Sequence, residues 1–143
     1  MIEDHVVSLE LSKKLKELGV KQESEFSWVV GESKLPFLDD TDTAKMIIEL
    51  DKDNQEVRPK LYSAFLSSEL GEMLPKGCTT YKPFNSTKDY LCWYRVGGQL
   101  KYKPHQGEDL RFEANTEANA KAKCLIYLIE NGLLEAKHEG RGK

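Results

Sequence analysis

The most regular pattern in the chain is TEANAKAKCLIYLIENGLL, residues 116–134, in which Ala118, Ala122, Leu125 and Ile129 recur every three or four positions with Leu128 beside them. That is the period of a helix, and the spacing predicts an amphipathic helix over 116–131. Thr116 stands ready as its N-cap, Glu117 places a carboxylate at the positive end of the helix dipole, and Asn131-Gly132 supplies the stop. SLELSKKLKELG repeats the logic on a smaller scale, with Leu11, Leu15 and Leu18 on one face between Ser8 and Gly19, and predicts a short helix near 8–18. A third helix, over 67–74, follows from Leu70, Met73 and Leu74, with Ser67 or Ser68 as cap and Pro75 and Gly77 beyond its end.

Elsewhere the pattern shifts toward strands. EFSWVV (25–30) is aromatic and β-branched, and GESKLPF after it has the composition of a turn and a return. Residues 79–114 suggest an antiparallel meander: DYLCWYRV and QLKYKP flank Gly97-Gly98, a pair that tolerates the positive φ angles of a two-residue hairpin turn. That turn would set Tyr94 opposite Lys101 and Trp93 opposite Tyr102. One face would then carry Leu91, Trp93, Leu100 and Tyr102, and the other Tyr90, Cys92, Tyr94, Val96, Lys101 and Lys103. DLRFEA adds Leu110 and Phe112 by alternation, with Arg111 pointing away. AKMIIEL (44–50), within the acidic stretch 39–60, is too short for its period to choose helix or strand.

Together these elements imply an α+β fold of one domain over residues 1–143: an antiparallel sheet of about four strands, covered on its Trp93 face by the long C-terminal helix, with the shorter helices on the other face or edge. The wide apolar stripe of residues 116–131 needs a large partner surface, and the Leu91/Trp93/Leu100/Tyr102/Phe112 face offers one. Burying four or five such side chains contributes on the order of 8–12 kcal/mol before opposing terms. Residues 135–143 read as a frayed basic tail.

A net charge of −3 gives no global attraction to nucleic acid or anionic lipid, so either partner would need a local patch. No run nears the roughly 20 apolar residues of a membrane span, and the acidic N-terminus lacks the pattern of a signal peptide. The expectation is a cytoplasmic protein. Three cysteines, Cys78, Cys92 and Cys124, lie too far apart in sequence for a CxxC motif, and the odd count favours reduced thiols, with Cys92 and Cys124 buried and inert in a strand and a helix.

The chemistry-bearing residues form few patterns. Tyr90 and Tyr94 interleaved with Lys101, Lys103 and Arg111 on the second sheet face would resemble the stacking and phosphate-neutralising platform of single-stranded nucleic-acid binders, although Asp109 and Glu113 dilute it. Asp39, Asp40 and Asp42 could gather around a hard divalent ion or simply start a helix. DKDNQE (51–56) opens like a calcium loop, then has Glu56 where that loop needs glycine and Tyr62 where it needs a bidentate glutamate. His5, His105 and His138 have no zinc spacing, and no nucleotide-binding or hydrolase motif is present, so the residues imply no cofactor.

Three strings, LSKKLKELGVKQES (11–24), AFLSSELGEMLP (64–75) and FEANTEANAKAKCLIYLIENGLL (112–134), resemble small bacteriophage- and prophage-encoded proteins in which such segments recur in this order. The last helix is similar to that of phage domains described as an α-β-α sandwich. This resemblance implies a sandwich-like fold and a bacterial host cell, and brings no activity, cofactor or catalytic residue with it. The resulting expectation is a non-enzymatic accessory protein that binds another protein. Its alternatives are a single-stranded nucleic-acid binder using the Tyr/Lys/Arg face and a small metal-dependent enzyme; self-association stays open.

Overall fold

The computed structural model describes residues 2–31, 35–50, 59–75, 78–82, 89–95 and 109–134. Along the chain come α1 (Leu9–Glu17), β1 (Phe26–Val30), β2 (Phe37–Asp40), α2 (Thr41–Leu50), β3 (Lys60–Ser63), α3 (Ser67–Met73), β4 (Thr79–Tyr81), β5 (Tyr90–Arg95), β6 (Asp109–Ala114) and α4 (Glu117–Glu130). The fold is α+β, but its described strands make two three-stranded antiparallel sheets, ordered β2-β1-β3 and β4-β5-β6, where one four-stranded meander was expected. Among the described residues no helix is long and apolar enough to cross a membrane.

Local signals set the helix ends. The Ser8 side chain accepts a hydrogen bond from the Leu11 amide and that of Thr116 from the Asn119 amide, as the sequence suggests. At α3 the cap is different: Leu66 holds the N-cap position, and the Glu69 carboxylate accepts its amide at 2.7 Å. Neither Ser67 nor Ser68 fills that role, because α3 already includes both. Residues 41–50, ambiguous by period, form α2. Its start is fixed by Asp40, whose carboxylate accepts the Thr43 amide at 2.8 Å and is held below the usual carboxylate range by that bond.

The second sheet overturns the expected hairpin register. β4 lies along one edge of β5 and β6 along the other, so Trp93 pairs with Thr79 and Arg111, and Tyr94 with Leu110. Both edges of β5 are thus occupied. The glycine turn and residues 99–103 lie outside the described residues. Alternation then puts Tyr90, Cys92, Tyr94, Leu110, Phe112 and Ala114 on one face, and Leu91, Trp93, Arg111 and Glu113 on the other.

α4 covers the Cys92 face, not the Trp93 face. Ala120 lets it approach closely, and Cys92 and Ala114 leave the room it needs. Ala120, Cys124 and Leu128, four residues apart, pack on this sheet. The anticipated stripe of Ala118, Ala122, Leu125 and Ile129 is also interior, but it faces Leu15 of α1, Leu70 of α3, and Val7, Val20 and Phe65. Thus α1 and α3 lie against α4, and not on the second face of the sheet as a sandwich would require. α1 also touches β3, which links this core to the first sheet.

Candidate functional site

The cluster of potentially reactive side chains in the described structure comes from three distant segments. Cys92 occupies the middle of β5, between Thr80 on β4 and Phe112 on β6. Cys124 enters from above on the α4 stripe shared with Ala120 and Leu128. Cys78 arrives from the segment between α3 and β4, where its amide donates to the Pro75 carbonyl at 3.3 Å. Its sulfur lies 3.7 Å from each of the other two, and all three fall within 4.8 Å of one another.

Cys92 and Cys124 are fully buried, as expected of cysteines in a strand and a helix, but they are not isolated. Cys78 is half-buried and opens into a cleft of about 390 Å³ whose wall includes Glu72, Thr80, Glu117 and Lys121. Lys121 is held in place: its Nζ donates to the Ser67 carbonyl at 3.2 Å and pairs with Glu117 at 3.4 Å, and only 16% of its side chain is exposed.

The thiols titrate as one unit. Hydrogen bonds from Cys124 and then Cys78, with smaller contributions from Thr80 and the Lys121 charge, hold Cys92 well below the ordinary thiol range despite its burial. Cys124 is pushed up by its hydrogen bonds with Cys78 and Cys92 and by burial. For Cys78 the bond with Cys124 acts downward, but the bond with Cys92, burial and the Cys92 charge outweigh it, and the thiol rises to about 12. Three sulfurs gathered this closely are soft donors, suited to a thiophilic metal.

The five residues anticipated as a nucleic-acid platform are not gathered among the described residues. Tyr94 is buried under α4, where burial raises its phenol pKa. Tyr90 shares that face, half-buried, with the Lys82 ammonium 5.7 Å from its ring centroid. Arg111 is exposed on the opposite face, because β6 pairs with β5 in the register that sets it across from Trp93. Lys101 and Lys103 lie outside the described residues. At Asp40 a hollow of about 550 Å³ is also lined by Glu25, Asp42, Lys45 and Glu69. Two of its carboxylates accept from backbone, Asp40 from the Thr43 amide and Glu69 from the Leu66 and Glu25 amides, and neighbouring Asp39 accepts from the Asp40 amide. Residues 51–56 lie outside the described residues.

Sequence reasoning missed the thiol cluster because separations of 14 and 32 positions match no ligand motif. A usable signal was present nevertheless. Cys92 alternates in step with Tyr90 and Tyr94, and Cys124 keeps step with Ala120 and Leu128, so once that sheet face and that helix stripe meet, the two sulfurs converge. Comparison with protein-family models, with curated proteins and with solved structures found no match.

Proposed function

We propose that the chain is a non-enzymatic module that binds another protein through the β2–α2 corner. The observation that carries this reading is the concentration of exposed apolar side chains there: Leu35 is 88% exposed and Met46 58%, with Phe37 and Ile47 also open to solvent. Large apolar groups left in water within thirteen residues of chain are a cost that a partner surface would relieve. β2 is also an edge strand of its sheet, so it can offer backbone hydrogen bonds to an added strand while Leu35 and Phe37 contribute contacts. A phage or prophage origin rests on the likeness of three sequence strings; genomic neighbours are its direct test.

A photo-activatable cross-linking residue at Met46, compared with one at Glu113 on the far sheet, tests the surface in extract of the cells that make the protein. The reading predicts a discrete adduct from position 46 that Phe37→Glu abolishes, with no counterpart from position 113. Equal adducts from both positions, or none from either, contradict it.

A further inference from the structure

We infer that Cys78, Cys92 and Cys124 form a binding site for one zinc ion, with the fourth coordination position open to the adjoining cleft and taken by water. A tetrahedral ion holding thiolates at about 2.3 Å sets its sulfurs about 3.8 Å apart. Two edges of the observed triangle are 3.7 Å, and the third, at no more than 4.8 Å, closes with a side-chain adjustment. The same edges are far longer than the roughly 2.05 Å of a disulfide. Three soft donors with no hard oxygen among them select zinc and its thiophilic neighbours over magnesium or calcium.

Three protonated thiols in van der Waals contact would reach a similar spacing, and the surroundings separate the two readings. A purely packing cysteine trio needs no access to solvent, yet Cys78 opens into the 390 Å³ cleft with polar and charged side chains on its wall. That is an entry path and room for a fourth ligand. Three thiolates around a dication leave a net charge of −1, and Lys121, on the same cleft wall and one turn before Cys124, is a fixed cation whose field the site would share with Glu117. The scaffold is firm on two sides as well: Cys92 is bracketed by strands on both edges, and Cys124 sits mid-helix in a fully buried stripe. Binding exchanges S–H protons for metal and involves no change of oxidation state. This inference stands apart from the β2–α2 surface, and either can fail alone.

The chain has only these three cysteines, so every metal–thiolate signal reports on this cluster. Full-length protein, reduced and stripped of metal, is titrated with cobalt(II) and then zinc(II). The expected result is a sulfur-to-cobalt charge-transfer band with the strong visible bands of tetrahedral cobalt, saturating at one equivalent, bleached by zinc, and accompanied by a rise in Tm. Cys78→Ser, at the cleft rim and the variant least disruptive to packing, removes the charge-transfer intensity of one ligand and weakens zinc by more than about a hundredfold. Its metal-free Tm stays near that of the parent. Lys121→Gln keeps the spectrum and weakens zinc about tenfold. A weak octahedral cobalt spectrum, a Tm that zinc does not move, or binding that survives Cys78→Ser unchanged overturns the site and leaves three packed thiols.

Discussion

Single side chains in this protein are decided by partners far away in sequence. The Trp28 indole N–H donates to the Val7 carbonyl at 2.9 Å, and the Ser8 amide at the N-cap of α1 donates to Asn119 Oδ1 at 2.8 Å. Val7 is fully buried, so losing the indole donor leaves a carbonyl without that bond and out of reach of water. Trp28→Phe is therefore expected to lower unfolding free energy by about 1–3 kcal/mol. Urea denaturation checks this as a lower midpoint at unchanged slope; an unchanged midpoint means that the bond contributes nothing. The caps at Ser8 and Thr116 were legible because the bond that makes them is local. The Trp28 bond was not, since composition shows a strand residue and nothing of what its ring reaches.

At the scale of elements, α4 was legible in extent and amphipathic character, and its two ends behave as their residues suggest. Gly132 adopts φ +70 just past the helix, while the Leu133 and Leu134 amides turn back to the Leu128 carbonyl at 2.8 and 3.1 Å. A Cβ at Gly132 would meet no neighbouring atom, so the left-handed backbone alone sets the cost of substitution. Gly132→Ala is expected to reduce stability by about 1 kcal/mol, read as a small fall in Tm. A neutral result would show that the helix end has shifted to relieve the strain. Which sheet face receives α4 was not legible. The pair Gly97-Gly98 is a local signal for a hairpin, but the edges of Tyr90–Arg95 are claimed by strands from before and after it. Direct pairing of β6 with β5 sets Phe112 opposite Cys92 and Leu110 opposite Tyr94, so the apolar residues of β6 join the Cys92 face and not the Trp93 face.

For the molecule as a whole, the consequence is that α4 is interior on two sides. Its Leu125 side belongs to a core with α1, α3 and Phe65, and its Leu128 side to a core with β5 and β6. The same arrangement carries Cys124 to Cys92 and Cys78, so the thiol site depends on the shared helix. Periodicity exposed one apolar stripe of α4 but not the second, because alanine and cysteine at 120 and 124 are small residues whose burial shows only once a partner face is known. Native-state hydrogen exchange on the parent and on Leu128→Ala tests the shared helix most directly. If α4 joins the two cores, its central amides exchange only by global unfolding, and Leu128→Ala lowers protection by the same amount, about 2–5 kcal/mol, in α4, α1 and β5 alike. Loss of protection confined to α4 and β4–β6, with α1 left at its parent value, would contradict the account.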